Sequence, residues 1–251
     1  MTAPLERIES AFAAAREYDR QARIQRDVAQ RLARRMAALD LPPAPSVLEI
    51  GCGTGFLTEA ARAAGIGGQW LVTDIAPAML DRCAARIGPD PAFRFARLDG
   101  ERASPQGGLF DLICSSLALQ WFADAPAALA RMSGWLAPGG HIVVTTLGPG
   151  SFAEWRMAHE REGLVPGTPS FAPVEAFEAL ERTSVTVEPL LERHADARAF
   201  LRAVKAIGAG TPHATHRPLT PAQLRRVMAR FDEQGAGVTY EVVTIHLQGA
   251  R

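Results

Sequence analysis

Lysine is nearly absent from this chain, which has 27 basic residues but only one lysine, Lys205. The bias toward arginine and alanine is typical of a GC-rich genome. A lysine kept against that bias matters where a compact ammonium group can act and a wide planar guanidinium cannot. Chance explains a single lysine equally well until its position supports a role.

Cysteine and long apolar runs are scarce as well. Cys52, Cys83 and Cys114 are an odd, scattered set without the spacing of a metal site, which fits a reducing cytoplasm. No uninterrupted apolar run reaches the ~18 residues that a membrane-spanning helix needs. The N-terminal stretch MTAPLERIES has no apolar core and contains acids, so we expect no signal peptide, a cytoplasmic location and no membrane partner.

The formal net charge is zero, but the charged residues are unevenly distributed. Residues 41–190 hold 10 basic and 16 acidic side chains, a balance of −6, whereas residues 191–230 hold 8 basic and 2 acidic ones, a balance of +6. A basic segment on a neutral chain can attract an acidic partner. A solvated helix face explains the same pattern, and on charge alone it is the simpler interpretation. We expect no nucleic-acid partner.

Strand and helix patterns alternate along the chain. The apolar runs VLEI, LVT, DLIC and HIVV are typical of strands buried on both faces, and the helical patterns between them predict a parallel, doubly wound α/β fold. The predicted strands are 46–50, 70–74, 93–98, 110–116, 141–147, 184–191 and 238–247. The predicted helices are two within 5–39, then 56–64, 77–87, 125–136, 151–162, 173–182, 197–209 and 220–234.

The stretch EIGCGTG at 49–55 places glycines at alternate positions between a predicted strand and a predicted helix. Glycine has no Cβ atom and permits positive φ, so the chain can pass closely beneath a ligand, and the following helix offers free N–H groups. A dinucleotide-binding loop would need a glycine where Phe56 stands, and no Gly-Lys-Ser/Thr of a phosphate-binding loop follows. The loop therefore predicts a different kind of ligand site.

The loop resembles the first motif of class I S-adenosylmethionine (SAM) methyltransferases. The later elements agree in order and spacing: Asp74 ends the second strand, Asp99-Gly100 follows the third, and WLAPGGHIVVTT matches the helix, turn and fifth strand. The resemblance implies a Rossmann-like, mostly parallel, seven-stranded sheet with a helical cap. It divides the chain into the cap at 1–40, the SAM-binding core at 41–149, and the last strands with an inserted helical lid for substrate and carrier protein at 150–251.

The same resemblance implies SAM as the cofactor, S-adenosylhomocysteine as its product, and no metal. It places Glu49 near the SAM ammonium group, Asp74 on the ribose hydroxyls, and Asp99-Gly100 against adenine. Taken singly, Glu49 is equally typical of a loop cap and Asp74 of a turn at a strand end. The cofactor-binding residues implied are Glu49, Gly51, Gly53, Gly55, Asp74, Ile75, Asp99, Gly100 and Ser115.

A closer resemblance covers nearly the whole chain. The segments LALQW, TTLGPGS, VKAIGA with Lys205, and TYEVV are similar to those of the malonyl-acyl-carrier-protein O-methyltransferases of biotin synthesis, the BioC type. This implies an enzyme that methylates the free carboxylate of a malonyl group on acyl carrier protein, an early step of biotin (pimeloyl) synthesis. Ser116, where the family commonly has asparagine, and Ala206, where glycine often follows the lysine, depart from the pattern.

The implied reaction needs little acid–base chemistry. A carboxyl group with a pKa of about 4 is already ionised at pH 7, so alignment of the reactants replaces a general base. The catalytic candidates are Tyr18, closing over SAM and the acyl group, and Gln120 and Trp121, lining the acceptor side; Tyr18 and Trp121 are also typical of packing residues. The candidates for binding the carrier protein and its phosphate-bearing arm are Lys205, Arg198, Arg202 and Arg217.

Two other functions remain open at this point. One is a SAM-dependent methyltransferase of another small carboxylic acid or of a quinone precursor, although a free di- or triacid should need arginines inside the pocket. The other is a SAM- or carrier-binding module without catalysis, against which the intact Glu49, glycine loop and Asp74 argue. His213 and His216 stand at i, i+3 without a nearby carboxylate or cysteine, so we expect no metal there. The sequence does not indicate an oligomeric state.

Overall fold

A computed structural model describes residues 18–208 and 216–250 as one sheet with helices on both faces. The strands are β1 (Ser46–Ile50), β2 (Gln69–Asp74), β3 (Phe93–Arg97), β4 (Phe110–Ser116), β5 (Leu136–Leu147), β6 (Thr183–Arg193) and β7 (Gly237–Gln248). The α-helices are α1 (Tyr18–Gln21), α2 (Arg23–Ala37), α3 (Phe56–Ala63), α4 (Pro77–Ile87), α5 (Ala125–Met132), α6 (Ala153–Glu160), α7 (Val174–Glu178), α8 (Ala197–Ala206) and α9 (Pro221–Glu233). None of these helices is long and apolar enough to cross a membrane.

The seven strands lie in the order β3-β2-β1-β4-β5-β7-β6. The first five strands pair in parallel, and β7 runs antiparallel to both β5 and β6. The mostly parallel seven-stranded sheet expected from the sequence is thus confirmed. After β3 the chain returns to the other side of β1, so the strand order reverses between β1 and β4, and such a reversal opens a crevice at the carboxyl ends of the strands.

Two hydrophobic cores lie on opposite faces of the sheet. Neighbouring residues of one strand point to opposite faces, so Val47 of β1 joins the core beneath α2, α3 and α4, whereas Leu48 joins the core beneath α5. The same alternation separates Leu112 from Ile113 in β4. Burial on both faces explains why these strands are continuous apolar runs in the sequence.

A third cluster joins the C-terminal helices to the end of the sheet. Trp155 of α6, Phe200 of α8 and Phe231 of α9 pack as neighbouring rings, with centroids 5.3–5.4 Å apart. Tyr240 of β7 and Leu147 of β5 belong to the same cluster. This packing fixes α8 beside the carboxyl end of β5.

The clearest differences from the sequence-based expectation lie in three regions. The helix predicted at 125–136 ends at Met132, and β5 already begins at Leu136, which is buried and pairs with Phe110. The pairing of β5 with β4 shifts register between Leu136 and His141, and Gly139 within this stretch has a positive φ. The helix predicted at 173–182 spans only Val174–Glu178. In the N-terminal region, the described residues form the short α1 and then α2, while residues 5–17 lie outside the described part.

Candidate functional site

A large cavity opens at the carboxyl ends of the strands, where the strand order reverses. Its empty volume is about 990 Å³, counting space open to solvent. The ends of four parallel strands and the loops that follow them line it, with residues 49–54 at the end of β1, 74–75 at the end of β2, 98–101 after β3 and 116–118 at the end of β4. We refer to this space as the donor cavity.

The three glycines of the loop have different structural duties. All have positive φ, at +69° for Gly51, +53° for Gly53 and +91° for Gly55. A Cβ atom on Gly51 would lie 2.5 Å from the Cβ of Ala118, and one on Gly55 would lie 2.9 Å from the Sγ of Cys83. A Cβ on Gly53, which lines the donor cavity, would meet nothing within 4 Å. Gly51 and Gly55 therefore permit close packing, while Gly53 keeps the loop open toward the cavity.

Asp74 and Asp99 close the ends of their strands with local hydrogen bonds. The carboxylate of Asp74 accepts from the backbone N–H of Gly53 at 2.9 Å and of Ala76 at 2.9 Å. Asp99 accepts from the N–H of Glu101 at 3.0 Å. Asp74 thus joins the turn after β2 to the glycine loop, and both carboxylates remain in the cavity wall.

Glu49 is a buried carboxyl group in the floor of the donor cavity, and Thr58 of α3 donates a hydrogen bond to it at 2.7 Å. Burial raises the pKa of Glu49 to about 7; the bond from Thr58 opposes this rise, and the charge of Asp74 adds to it. Nearby, the hydroxyl oxygen of Thr54 is buried without a hydrogen-bond partner in the described structure. The loop therefore presents two groups to a ligand. One is a carboxyl group whose ionised form a bound cation would stabilise, and the other is an unpaired hydroxyl group.

Arg86 connects the N-terminal helix to the glycine loop. Its side chain donates to the carbonyl oxygen of Thr54 at 2.6 Å and to Glu59 of α3 at 3.1 Å, and it also pairs with Asp19 of α1. Its guanidinium lies 4.7 Å from the centre of the Phe56 ring. One cation therefore fixes α1 at the mouth of the donor cavity.

A second, mostly apolar cavity adjoins the first. Its empty volume is about 640 Å³, and Tyr18, Gln25, Leu117 and Trp121 line both spaces. We refer to it as the acceptor cavity. Its remaining lining residues are Gln120, Leu147, Phe152, Pro169, Phe171, Val204, Ile207 and Tyr240. Within the described chain, no arginine or lysine lines either cavity.

Two residues of the acceptor cavity have a strained backbone. Leu117 has φ of +52° and Phe152 has φ of +60°, in the left-handed region that residues with a Cβ atom rarely adopt. The N–H of Phe152 donates to Thr239 at 2.7 Å, and its ring lies edge-on to Tyr240 at 5.1 Å. Such strain persists only where the surroundings enforce it, and it concentrates at functional sites.

The outer face of α8 carries a stripe of positive charge. Arg198, Arg202 and Lys205 are spaced i, i+4 and i+7 and are the exposed residues of this helix. Its inner face brings Val204 to the acceptor cavity, together with Ile207 just beyond the helix end. The basic stripe (Arg198, Arg202 and Lys205) therefore lies on the element that forms one wall of the acceptor cavity.

The comparisons with known proteins agree on one family. A methyltransferase-domain family matches residues 18–182. The chain is 37% identical over 244 residues to a malonyl-[acyl-carrier protein] O-methyltransferase of Magnetococcus marinus, a match that covers 94% of this chain and 90% of the relative. The chain belongs to the malonyl-[acyl-carrier protein] O-methyltransferase family.

This methyltransferase is also 49% identical over 231 residues to the biotin biosynthesis bifunctional protein BioCD of Bordetella avium. That match covers 91% of this chain and 49% of the relative, so the chain spans about half the length of the bifunctional protein. Among solved structures, phosphoethanolamine N-methyltransferase 2 of Haemonchus contortus, in complex with S-adenosyl-L-methionine, has a TM-score of 0.56 at 16% identity. That match covers 89% of this chain and 52% of the other, and it supports the class I SAM methyltransferase fold.

The donor cavity of the methyltransferase has the groups that SAM needs. The donor has an ammonium group, a carboxylate and two ribose hydroxyls. Glu49 is the candidate partner of the ammonium group. The unpaired Thr54 hydroxyl and the N–H groups at the start of α3 are candidates for the carboxylate, and Asp74 is the candidate for the ribose hydroxyls. Among the described residues, no cluster of three or more His, Cys, Asp or Glu side chains could hold a metal ion.

The structure brings most of the predicted site residues of the methyltransferase together. Seven of the nine cofactor candidates line the donor cavity, namely Glu49, Gly51, Gly53, Asp74, Ile75, Asp99 and Gly100. Gly55 does not, because it permits the close contact between the loop and α4. Ser115 does not either: it is fully buried and donates to the carbonyl of Ile50 at 2.7 Å, and Ser116 takes its place in the cavity wall.

The catalytic candidates lie on the acceptor side. Tyr18 and Trp121 line both cavities, and Gln120 lines the acceptor cavity alone. Burial, and after it the charges of Asp74 and Asp19, raise the pKa of Tyr18 well above its ordinary value. Tyr18 therefore stays protonated near neutral pH and can donate a hydrogen bond.

The remaining candidates are less closely tied to the cavities. Arg217 is exposed. The ring of His216 lies close to Gly167, because a Cβ atom placed on Gly167 would lie 3.1 Å from that ring. His213 lies outside the described residues.

Sequence reasoning missed several residues of the site. Thr54 and Thr58 lie within and just after the glycine motif, where their hydroxyl groups carried no separate signal. Leu117, Phe152 and Tyr240 lie in or beside the segments LALQW, TTLGPGS and TYEVV, which identified the family but not the role of each residue. Their convergence on one cavity depends on the tertiary fold.

Proposed function

We propose that this chain transfers the methyl group of SAM to the free carboxylate of malonyl-acyl carrier protein, as a step of biotin biosynthesis. The observation that carries this proposal is the acceptor cavity, which is mostly apolar, has no lining cation in the described chain, and shares a wall with the donor cavity. A free diacid brings two negative charges and needs cationic partners inside the protein. A malonyl thioester brings one carboxylate, and the rest of the group is neutral.

The chemistry is a simple displacement. A malonyl carboxylate oxygen supplies the electron pair for the new O–CH3 bond, and the pair of the broken CH3–S bond stays on sulfur, which leaves a methyl ester and S-adenosylhomocysteine. No proton is transferred, because the carboxylate is already ionised at pH 7. The protein's contribution is therefore alignment and exclusion of water, and alignment alone can supply about 7–11 kcal/mol.

The shared wall suits this alignment. Tyr18, held on α1 through the contacts of Arg86 with Asp19 and the loop, lines both cavities and keeps its hydroxyl proton. Trp121 and Leu117 complete the wall from the loop after β4. We assign Tyr18 to orienting the acceptor and the two apolar residues to excluding water from the reacting atoms.

The basic stripe on α8 suits an acidic carrier protein. Its three cations are exposed and have no ion-pair partner among the described residues. By contrast, Arg226 and Arg230 on α9 both pair with Glu162 at 2.8 Å. The stripe lies on the exposed face of α8, and the inner face of the same helix lines the acceptor cavity. A carrier protein docked on the stripe would therefore have a short path for its thioester arm into the cavity.

The proposal is tested by mass spectrometry of malonyl-acyl carrier protein after incubation with the protein and SAM. We expect a mass increase of one methyl group on the malonyl-acyl carrier protein and none when SAM is omitted. Malonyl-CoA and free malonate at the same concentration separate the acceptors. If free malonate were turned over as fast as malonyl-acyl carrier protein, the interpretation of the acceptor cavity as a site for a singly charged thioester would be contradicted. If malonyl-CoA were turned over as fast as malonyl-acyl carrier protein, docking of the carrier protein would be contradicted.

A further inference from the structure

The Gln120 side chain has a defined orientation in the acceptor cavity. Its Nε2 atom donates to the backbone carbonyl of Leu117 at 2.7 Å. A carbonyl only accepts hydrogen bonds, so the NH2 end of the amide must face Leu117 and the oxygen must face away. The strained backbone of Leu117 presents this carbonyl, which links the local conformation to the orientation of the amide.

The other end of this amide is unpaired. Oε1 of Gln120 is buried and has no hydrogen-bond partner within the described chain, and Gln120 lines the acceptor cavity but not the donor cavity. A buried acceptor without a partner is costly, and most such atoms in proteins are paired. This oxygen therefore indicates a ligand that brings a hydrogen-bond donor into the acceptor cavity.

The malonyl group itself brings no such donor. At neutral pH its carboxylate and its thioester carbonyl only accept hydrogen bonds, and an amide oxygen repels a carboxylate. The nearest donor on the carrier-bound substrate is an amide N–H of the pantetheine arm, which is separated from the thioester sulfur by two methylene groups. From the shared wall at Trp121, the cavity extends to Val204 and Ile207 beside the basic stripe, which is the direction from which this arm would enter.

We propose that Oε1 of Gln120 accepts a hydrogen bond from the amide N–H of the pantetheine arm nearest the thioester. This inference rests on the proposed function and assigns Gln120 to the arm instead of the carboxylate. The bond sets how deeply the arm enters, and the two methylene groups and the thioester then fix how far the malonyl carboxylate reaches toward the donor cavity. Gln120 is thus a specificity-determining residue that selects an amide-bearing thioester.

The test couples one change in the protein to one change in the substrate. The substrates are malonyl-pantetheine and its analogue in which a CH2 group replaces the N–H of the nearest amide and the neighbouring carbonyl is kept. The variant is Gln120→Met, which keeps the length of the side chain and removes the amide. We expect the wild-type kcat/KM to be about tenfold higher for the amide substrate, and the ratio to fall close to one in the variant.

The two comparisons distinguish hydrogen bonding from structural damage. Structural damage alone would lower the activity of the variant on both substrates equally and leave the tenfold ratio of kcat/KM in place. A tenfold ratio in Gln120→Met would therefore overturn the inference. A wild-type ratio near one would also overturn it, and this comparison does not depend on any variant. If wild-type protein methylates neither these substrates nor malonyl-acyl carrier protein, the proposed function itself fails, and the absence of any product makes that outcome distinguishable.

Discussion

Glu49 shows how the environment of one side chain can couple ligand binding to pH. Since burial raises its pKa from 4.5 to about 7, the folded protein binds more protons at this site than the unfolded chain does between those values. The free energy of unfolding should therefore decrease as the pH rises from about 4.5 to about 7, and remain level above that. A bound ammonium group stabilises the ionised form and reverses part of this cost.

The first prediction concerns Glu49→Gln, which keeps an oxygen to accept from Thr58 and removes the titration. Without SAM, we expect the variant to gain up to about 3 kcal/mol of unfolding free energy relative to wild type between pH 5 and pH 8. Urea unfolding at both pH values measures this difference. Parallel pH dependence of the two proteins would contradict it. In the variant, SAM should also bind more weakly, since the ammonium group loses its charged partner.

Asp74 has two duties, and its replacement should show both. Its carboxylate accepts from the N–H groups of Gly53 and Ala76 while it lines the donor cavity. Asp74→Asn places an NH2 group against one of these N–H groups, so the glycine loop should lose its fixed position. We expect the Kd for SAM to rise at least about tenfold, measured by calorimetry. Asp81→Asn, on an exposed position of α4, is the control and should leave the Kd unchanged.

At the scale of single elements, α8 separates the acceptor cavity from the solvent. Phe200 and Val204 face inward, and the basic stripe faces outward. Charge on an exposed helix face mainly speeds association and contributes little to stability. The stripe should therefore affect recognition of the carrier protein without changing the chemistry.

The third prediction uses this separation. Arg202→Glu combined with Lys205→Glu should raise the KM for malonyl-acyl carrier protein about tenfold, with a larger effect at low salt, because association with an acidic partner depends on charge. The kcat for malonyl-pantetheine, which has no carrier protein, should not change. Arg94→Glu, on an exposed position of β3 at the far edge of the sheet, is the matched control. An unchanged KM in the double variant would exclude the stripe as the docking face.

The elements that the sequence predicts well are those with strong local signals. The parallel strands are apolar runs or β-rich segments, most of them next to a predicted helix, and α4 begins at Pro77 and ends at Ile87 as the pattern predicts. Thr220 and Gln223 form the capping box that starts α9. The predicted start of β5 was wrong, because the APGG sequence is typical of the end of a helix. In the structure, Leu136 already pairs with Phe110 and belongs to the strand.

The residues of the site also differ in how well the sequence predicts them. Residues in the glycine loop and at the strand ends are predictable, because every parallel strand ends at the same edge of the sheet. The acceptor cavity is not, because it combines α1, the loop after β4, α8 and β7, which lie far apart in sequence. Family resemblance identified the relevant segments, but only the fold shows that Gln120 lines this cavity and that its amide oxygen is buried without a partner in the described chain.

At the scale of the whole molecule, the positive charge of the described chain lies outside the linings of the two cavities. Cations cover the outer face of α8, while no arginine or lysine of the described chain lines either cavity. We therefore expect the acceptor carboxylate to find its main positive partner in the sulfonium of bound SAM. The affinity for the acceptor should depend on which donor analogue occupies the neighbouring cavity.

The fourth prediction compares two analogues. Sinefungin has an ammonium group near the position of the sulfonium, and S-adenosylhomocysteine has a neutral sulfur. We expect malonyl-pantetheine to bind at least about tenfold more tightly with sinefungin than with S-adenosylhomocysteine, because a charge pair inside a poorly solvated cavity is stronger than one in water. Titration calorimetry with each analogue at saturation measures this ratio. Equal affinities would contradict the sulfonium as the main positive partner of the acceptor carboxylate.

The lack of a cation among the described residues of the cavity walls also bears on the steps after methyl transfer. A wall arginine would attract the carboxylate before and after the donor is bound, and it would be left unpaired once the ester had formed. Here the two opposite charges disappear together when the methyl group is transferred, so the attraction that assembled the complex ends with the chemistry. We therefore expect the two products to separate without a further charge-driven step.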